Sequence, residues 1–531
     1  MNYLLPSLKK TGYVEIQRSD AAPPAQNNYS QMKTRTWLTL CMLAFTLAAN
    51  AQKPNVIYIY ADDLGYGDLS CYGAEKIKTP NLDRLAASGI RFTDAHCTSA
   101  TCTPSRYALM TGQYPWRKQG TGILPGDAAL IIPTDKLTLP KLFKTAGYKT
   151  AIVGKWHLGL GAAVAKDWNG EVKPGPNEVG FDYSFIFPAT ADRVPTVFLE
   201  NHKVVALDAN DPIAVDYVKK VGDEPTGKEH PELLKMQSSA GQGHNQTIVN
   251  GIGRIGYMSG GKMARWVDEE VSTTFLATAR HFIEENRSRP FFLYFALTEP
   301  HVPRMPATRF KGKSGLGLRG DAILQLDWTV GEIMKQLAAL GIEKNTMIIF
   351  TSDNGPVLDD GYQDEAVTRQ NGHMPAGKLR GGKYSAFEGG TRVPFILSWK
   401  SQVKPQISKA LVSQMDLLAS FAGLLGQKVA AGEAPDSENL IDALTGKSQK
   451  GRSVLVQQGG ALSVVKDGWK YISPSKGPAF MKEVGIESGN LESPQLYNLN
   501  EDIAEQHNLA AKHPEKVKEL SGLLQQIKEK K

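Results

Sequence analysis

The feature that most constrains the fold is a series of short apolar runs, each of strand length and each ending in polar or charged residues. Residues 56–60 lead into Asp62-Asp63, and residues 346–351 lead into Asp353-Asn354. Runs that are apolar throughout indicate strands buried on both faces. The other predicted strands cover residues 150–153, 291–297 and 393–399, and predicted helices at 80–88, 139–146 and 322–340 alternate with them. We therefore predict an α/β fold with a mainly parallel sheet flanked by helices.

Two acidic pairs occupy the positions where such a fold binds its ligands. Parallel sheets bind ligands at the carboxyl ends of their strands, and Asp62-Asp63 and Asp353-Asn354 each follow a predicted strand directly. Carboxylate and amide oxygens are the ligands that a hard divalent cation such as Ca²⁺ prefers. Aspartate and asparagine are also common in turns, so each pair alone is equally compatible with a turn. Together with the cysteine motif described next, the two pairs predict a metal site.

The most specific motif is an undecapeptide at residues 102–112, Cys-Thr-Pro-Ser-Arg-Tyr-Ala-Leu-Met-Thr-Gly. It resembles the signature of the type I sulfatases, whose fold is alkaline-phosphatase-like. The resemblance implies that a formylglycine-generating (sulfatase-maturating) enzyme oxidises Cys102 to formylglycine, and that the hydrate of this aldehyde attacks the sulfate ester. Arg106 is implied to bind the metal-held hydrate or to brace the site. The Ca²⁺ ligands that the resemblance implies are Asp62, Asp63, Cys102, Asp353 and Asn354.

Three further segments supply the bases and cations that this chemistry needs. Lys155 and His157 lie two residues apart in Gly-Lys-Trp-His-Leu-Gly, after a predicted strand, so they can face one crevice. In the family, the matching lysine contacts sulfate, and the matching histidine orients or deprotonates the formylglycine hydrate. His301 follows another predicted strand and matches the family histidine beside the leaving oxygen. Lys383 precedes Glu-Gly-Gly-Thr-Arg-Val-Pro at 388–394, which is closely similar to the family block that follows a sulfate-binding lysine.

Substrate specificity is expected to lie in a loop-rich stretch that contains Asp192 and Arg193, because loops above a sheet edge commonly carry it. These two residues could bind sugar hydroxyls or form a local surface ion pair. The stretch is similar to bacterial sulfatases near the N-acetylgalactosamine-6-sulfatase and arylsulfatase A branch. That likeness implies exo-removal of sulfate from galactose or N-acetylgalactosamine, at O6, in host or dietary glycans. Lys155, His301 and Lys383 would bind the sulfate end of this mono- or oligosaccharide substrate.

Two rival functions remain open at this stage. A phosphonate or phosphodiester hydrolase can share the fold and even a formylglycine signature. A non-catalytic binder of sulfated glycans is a second alternative, although such a protein would be free to lose Cys102 or a ligand pair. Every expected site residue is present in this chain, and the Gly-Lys-Trp-His context at 154–157 favours sulfate.

The N-terminal segment has the pattern of an export signal. Met-Lys-Thr-Arg at 32–35 is a basic start, and the apolar run at 37–47 is too short to span a bilayer. Ala49-Asn50-Ala51 then offers small residues at both positions that a signal peptidase reads. We predict a signal peptide over residues 32–51, an upstream extension over 1–31, and a mature chain that begins near Gln52. The protein is therefore expected to be periplasmic, rather than surface-bound or secreted, with no membrane span.

The C-terminal part changes character at about residue 430, where the chain becomes polar. We predict a catalytic α/β domain over 52–429 and a smaller α+β subdomain over 430–531, because 531 residues exceed what one core usually covers. Apolar residues at helical spacing predict a final helix over 514–531. The stretch around Glu505 resembles the end of many sulfatases. Predicted strands of a small antiparallel sheet lie at 453–457, 462–466, 469–472 and 496–499.

The net charge and the cysteines limit the partners and the disulfides that the protein can have. Residues 1–51 carry five Lys or Arg and two Asp or Glu, so the rest of the chain carries +4 of the total charge of +7. No basic block interleaves with aromatic residues, which argues against nucleic acid as a partner. Cys71 and Cys97 could form a disulfide or stay as free thiols, whereas Cys102 must stay unpaired. His373, in the loop before Lys383, is interpreted as a solvated loop histidine.

Overall fold

A ten-stranded mixed sheet forms the centre of the structure, a computed structural model that describes residues 53–163 and 166–530. The signal peptide and the upstream extension predicted over 1–51 lie outside the described residues. In chain order, the strands are β1 (Asn55–Ala61), β2 (Ile90–Phe92), β3 (Lys149–Lys155), β4 (Tyr183–Phe187), β5 (Leu199–Glu200), β6 (Lys203–Val204), β7 (Phe291–Ala296), β8 (Thr346–Ser352), β9 (Phe395–Ser398) and β10 (Gln406–Ser408).

Five parallel strands occupy the middle of this sheet. Their spatial order is β8-β1-β7-β3-β4, and β9, β2 and β10 extend one edge while β5 and β6 extend the other. The pairs β8–β9, β9–β2, β4–β5 and β5–β6 are antiparallel. The predicted mainly parallel sheet is therefore confirmed at its centre, and the edges are mixed.

Helices cover both faces of the sheet. Alternate residues of β1 enter two different apolar clusters, because side chains of a strand point to opposite faces: Tyr58 lies in one and Ile59 in the other. Helices α2, α3 and α7 pack on the first face, and α1, α4 and α5 pack on the second. In chain order, the helices are α1 (Pro80–Ala87), α2 (Cys102–Thr111), α3 (Leu139–Thr145), α4 (Val271–Glu285), α5 (Gly317–Ala339), α6 (Glu388–Thr391), α7 (Leu417–Leu424), α8 (Ile441–Leu444) and α9 (Pro514–Glu529).

A second, four-stranded antiparallel sheet lies in the C-terminal part. Its strands, in both chain and spatial order, are β11 (Val454–Gln458), β12 (Leu462–Lys466), β13 (Trp469–Ile472) and β14 (Gln495–Asn498). Leu520 and Leu524 of α9 are buried in the apolar cluster of this sheet, as its helical stripe predicts. The described residues from Lys53 onward form one compact unit that contains both sheets, and the boundary at 429/430 remains a prediction.

Short strands and 3₁₀ turns connect these elements. The short strands are Ala95–His96, Ala214–Asp216, Ile248–Val249, Ile252–Gly253, Tyr257–Ser259, Val412–Ser413, Phe480–Met481 and Ile486–Glu487. The 3₁₀ turns are Tyr66–Asp68, Ser70–Tyr72, Pro115–Arg117, Pro231–Leu233, Asp268–Glu270, Glu343–Asn345 and Gln414–Asp416. None of the helices within 53–163 and 166–530 combines the length and apolar character needed to cross a bilayer.

A buried charged cluster braces the loop that follows β1. Asp68 accepts hydrogen bonds from both terminal nitrogens of Arg319 (2.8 and 2.6 Å), from His373 Nε2 (2.8 Å) and from the backbone nitrogen of Gly65 (2.7 Å). The solvated position predicted for His373 is therefore wrong, because its loop folds inward and the imidazole is buried against the Asp68 carboxylate. Burial alone would raise the pKa of Asp68, but the charge of Arg319 and the hydrogen bonds from Arg319 and His373 lower it to about 2.

We expect Asp68→Asn to lower the free energy of unfolding by roughly 3 kcal/mol at pH 7, because Arg319 is left buried without its carboxylate. The folded-state pKa lies below the ordinary value of 3.8, so the carboxylate stabilises the protein fully above about pH 4 and loses this effect between about pH 4 and pH 2. Urea unfolding at pH 7 and pH 3 measures the loss of unfolding free energy and its dependence on pH. The difference between variant and wild type should shrink at the lower pH, and an unchanged difference would contradict the assignment.

Candidate active site

The predicted site residues meet at the carboxyl ends of four adjacent strands. Asp62 and Asp63 follow β1, and Asp353 and Asn354 follow β8. Lys155 is the last residue of β3, and His301 lies five residues beyond β7. Because β8, β1, β7 and β3 are neighbours in the sheet, their ends bring these side chains into one buried cluster.

Three cations pair with three carboxylates in this cluster. Lys155 Nζ lies 2.6 Å from Asp62 Oδ2, and Lys383 Nζ lies 2.9 Å from Asp63 Oδ2. The third pair is Arg106 and Asp353, in which Arg106 donates through Nε (3.0 Å) and Nη2 (2.7 Å) to one carboxylate oxygen. Arg106 was expected either to bind the metal-held hydrate or to brace the site. The structure shows a contact of the second kind, to Asp353.

Two oxygens of the cluster lack a hydrogen-bond partner among the described residues, which is the arrangement expected of a cation site. Asp62 Oδ1 and Asn354 Oδ1 are buried and accept no hydrogen bond from any described residue. Burial and the nearby Asp353 carboxylate raise the pKa of Asp62 well above its usual value, despite the opposing charge of Lys155. A hard cation would satisfy these oxygens and relieve the carboxylate repulsion, so the donor set fits Ca²⁺. Ligand atoms of Asp62, Asp63 and His301 also lie within 4.8 Å of one another.

Cys102 is the first residue of α2 and is buried beside His157. The helix N-terminus favours negative charge at this position. Cys102 Sγ lies 3.3 Å from His157 Nδ1, and His157 Nε2 lies 2.8 Å from the carbonyl oxygen of Leu124. Since a carbonyl can only accept, Nε2 carries the proton, and Nδ1 of the neutral ring is a free base that faces position 102. Burial and then Lys155 lower the pKa of His157 well below its usual value, which keeps the ring neutral.

A cavity of about 280 Å³ opens over Cys102 and leads to the predicted specificity residues. Lys383, His301, Asp192 and Arg193 all line it. Arg193 Nη1 lies 2.9 Å from both carboxylate oxygens of Asp192. These two residues therefore do form an ion pair, but it lies in the wall of the active-site cavity rather than on the open surface.

Three cavity residues were missed by sequence reasoning. Asp360 Oδ2 accepts from Lys383 Nζ (2.7 Å), and Asp360 Oδ1 accepts from the hydroxyl of Tyr384 (2.9 Å). Burial alone would lower the pKa of Lys383, but Asp360 and Asp63 outweigh it and raise that pKa well above its usual value. His244 Nε2 lies 2.9 Å from Asp192 Oδ2. Tyr384 follows Lys383 directly, so its position in the sequence could have identified it as a cavity residue. Asp360 and His244 belong to no motif.

Among the described residues, the two cysteines outside the site are not paired. Cys71 is half-buried, Cys97 is buried, and both are free thiols, as is Cys102. Of the two alternatives left by the sequence, the structure therefore supports free thiols. Cys102 is thus unpaired, as expected from the sequence.

Such a site, with cations, carboxylates and a helix-terminal cysteine at the carboxyl end of an α/β sheet, defines a hydrolase of anionic esters. The family model described as Sulfatase matches residues 54–427. Over 481 residues the chain is 56% identical to the N-acetylgalactosamine-6-O-sulfatase of Bacteroides thetaiotaomicron, which covers 90% of this chain and 94% of that protein. It is 30% identical to human arylsulfatase A over 487 residues, covering 88% of this chain and 86% of that protein.

Solved structures agree with the sequence comparisons. A chain from a study of glycosaminoglycan metabolism by Bacteroides thetaiotaomicron superposes with a TM-score of 0.89 at 56% identity, covering 90% of this chain and 100% of that chain. The protein belongs to the sulfatase family. It is a sulfuric ester hydrolase with the alkaline-phosphatase-like fold.

Proposed function

We propose that the protein removes 6-O-sulfate from terminal galactose or N-acetylgalactosamine units of sulfated glycans, including glycosaminoglycans. The observation that carries this proposal is the pair of buried Asp192 and half-buried Arg193, which lines the same cavity as Cys102. Its acceptor and donor groups can bind neighbouring hydroxyls of one sugar while the sulfate lies at Lys383. The 56% identity to an N-acetylgalactosamine-6-O-sulfatase supports the same substrate class.

The shape of the cavity supports exo-action. Gln242 Nε2 donates to the carbonyl oxygen of Glu483 (2.9 Å), and both residues line the cavity. This contact joins a loop of the catalytic part to a C-terminal hairpin and forms a wall beside the opening. A pocket walled in this way fits the end of a glycan better than its middle.

We propose that Cys102 is converted to formylglycine by a maturating enzyme and that Ca²⁺ binds among Asp62, Asp63, Asp353 and Asn354. The hydrate of formylglycine would supply a hydroxyl that attacks sulfur as the bond from sulfur to the sugar oxygen breaks, and a carboxylate such as Asp353 would take the proton of that hydroxyl. Ca²⁺ held by these residues would supply positive charge to the sulfate oxygens. In the structure, Cys102 Sγ stands in for an oxygen of that hydrate.

His157 is the proposed base at position 102. Its Nδ1 faces that side chain, and the bond from Nε2 to the carbonyl of Leu124 fixes the tautomer. It can therefore accept a proton from the group at position 102 when sulfate is expelled. The low pKa that burial imposes keeps Nδ1 unprotonated and ready for this step.

Lys155, Lys383 and His301 form the proposed sulfate-binding side of the cavity. Asp360 and Asp63 keep Lys383 protonated, so it brings a fixed positive charge to the sulfate oxygens. His301 Nδ1 donates to the carbonyl of Val302 (2.6 Å), which leaves Nε2 toward Asp63 and the cavity. Burial and the charges of Lys383 and Lys155 lower the pKa of His301, and an arriving sulfate would raise it again. His301 then becomes able to protonate the departing sugar oxygen.

A panel of sugars sulfated at O3, O4 or O6, assayed beside matched phosphate and phosphonate esters, tests the function. We expect sulfate release from the O6-sulfated galactose and N-acetylgalactosamine. Preferential hydrolysis of the phosphorus esters would support the rival hydrolase instead. Binding of the sugars without any turnover by formylglycine-containing protein would support the non-catalytic binder.

Asp192→Asn should lower kcat/KM for the O6-sulfated sugar by roughly 100-fold, because one of the two acceptor oxygens becomes an NH₂ group that cannot accept from a sugar hydroxyl. A small aryl sulfate has no sugar hydroxyls, so its hydrolysis should change by less than about 5-fold. Glu224→Gln, which breaks the part-buried Arg265–Glu224 pair (2.6 Å) outside the cavity, is the matched control. Equal losses on both substrates would exclude sugar recognition by Asp192.

We also propose that the protein is exported to the periplasm. The basic start at 32–35, the apolar run and Ala49-Asn50-Ala51 support this assignment. N-terminal sequencing of protein recovered from periplasmic fractions should give a chain that begins near Gln52. Recovery of uncleaved protein from the cytoplasm alone would contradict export.

A further inference from the structure

Two family-like motifs that the chemistry leaves unused meet in the structure. They are the Glu388-Gly389-Gly390 turn of α6 and the C-terminal stretch that contains Glu505. Glu505 Oε2 accepts a hydrogen bond from the backbone nitrogen of Glu388 (2.6 Å). Lys470 of β13 lies between the two carboxylates, with Nζ 2.9 Å from Glu388 Oε1 and 3.1 Å from Glu505 Oε1. All three side chains have zero solvent exposure.

The α6 turn contacts two segments of the active site, the one that follows Asn354 and the one that precedes Cys102. The carbonyl oxygen of Gly390 accepts a hydrogen bond from the backbone nitrogen of Gly355, the residue that follows Asn354 (2.9 Å). A Cβ atom at Gly390 would lie 2.9 Å from the Cβ of Ala100, two residues before Cys102. A shift of the turn would therefore move both segments.

The segment that carries Lys383 is held between this turn and the C-terminal sheet. The backbone nitrogen of Tyr384 donates to the carbonyl of Ala100 (2.7 Å). Phe387 packs edge-on against Tyr497 of β14, with ring centroids 6.1 Å apart. The C-terminal sheet thus supports the catalytic lysine segment through apolar packing as well as through charge.

We propose that Lys470 and Glu505 are positioning residues for sulfate hydrolysis, which fix the α6 turn and through it the relative places of Cys102, Asn354 and Lys383. This inference rests on the roles proposed above for those three residues. Glu388 has a second partner in Arg392, whose Nε lies 2.6 Å from Glu388 Oε2, so movement of Lys470 would leave the charges of Lys470 and Glu505 unpaired in a low-dielectric interior. The turn is therefore held in one position, and displacements of the order of 1 Å in a catalytic constellation cost large factors in rate.

The test is the kinetics of Lys470→Met and Glu505→Leu, with kcat divided by the formylglycine content measured by peptide mass. We expect kcat to fall roughly 10-fold to 100-fold, by the same factor for a small aryl sulfate and for an O6-sulfated sugar. KM for the sugar should change by less than about 3-fold, because Asp192 and Arg193 lie on another segment. Glu505→Gln keeps an acceptor for the Glu388 nitrogen and should retain kcat within about 3-fold of wild type.

Arg117→Met is the control that distinguishes positioning of the α6 turn from a general loss of stability in the C-terminal part. Arg117 bonds Asp436 (2.9 Å) and the carbonyl of Ile527 at the end of α9 (2.9 Å), with no bond to α6 among the described residues. We expect this control to lower the melting temperature but to leave kcat unchanged well below it. An equal loss of kcat in Arg117→Met, a loss confined to KM, or full kcat in Glu505→Leu would each overturn the inference. Wild-type turnover tests the proposed function separately, since the inference concerns only the ratio of variant to wild type.

Discussion

Cys102→Ala is expected to abolish sulfate release, with a loss of at least about 10⁴-fold in kcat, because it removes the side chain that we propose as the source of the nucleophile. The remaining cations would still bind the substrate, so binding of the sulfated sugar should persist. The substitution removes one sulfur from a buried position beside His157, so the melting temperature should fall only slightly. Sulfate release and peptide mass of the 102 region are the measurements.

Cys71→Ala is the matched control for this variant. Cys71 is a half-buried free thiol outside the signature, and burial raises its pKa to about 12, so it is an inert thiol at neutral pH. Its substitution should leave turnover unchanged. Full activity of wild-type protein that carries only unmodified cysteine at position 102 would exclude formylglycine as the nucleophile.

The parts of the fold that the sequence predicted are those in which a local pattern and the tertiary structure agree. Strands β1 and β8 are apolar throughout because they are buried on both faces, and apolar runs show this directly. Helix α2 was missed because all ten of its residues are buried, so it has no polar face and no 3.6-residue periodicity. Helix α5 begins at Gly317, five residues before the predicted start, for a similar reason: buried Arg319 and Asp321 look like surface residues in the sequence.

In the active site too, the residues that could be predicted are those whose local sequence pattern agrees with the tertiary structure. Asp62 and Asp353 could be predicted as neighbours because each follows a parallel strand directly, and parallel strands end at one edge. Asp360 and His244 lie in loops, and contacts with residues distant in the sequence place them in the cavity. No local sequence pattern predicts these contacts. The pairing of Glu505 with Glu388 spans more than one hundred residues and joins two motifs that sequence similarity alone had left unconnected.

Asp353→Asn should lower kcat/KM by roughly 1,000-fold, the second large effect that the structure predicts. The amide keeps the shape but removes one of the three carboxylates proposed for Ca²⁺, and it turns an NH₂ group or a weaker acceptor toward Arg106. The Ca²⁺ concentration for half-maximal activity should rise at least about 10-fold, whereas Mg²⁺ should restore chelated wild type poorly.

Asp268→Asn distinguishes loss of the metal site from loss of a buried ion pair. Asp268 pairs with Arg254 at 2.7 Å, and both side chains are buried, as are those of Asp353 and Arg106. Both variants should therefore lose stability through an unpaired arginine, but only Asp353→Asn should change the dependence of activity on Ca²⁺. Chelation of wild type provides the independent check, because removal of the proposed Ca²⁺ would leave the Arg106–Asp353 pair intact and would remove only the positive charge of the metal. If chelated enzyme kept full activity and Asp353→Asn were no slower than Asp268→Asn, the acidic cluster would be a brace for Arg106 rather than a metal site.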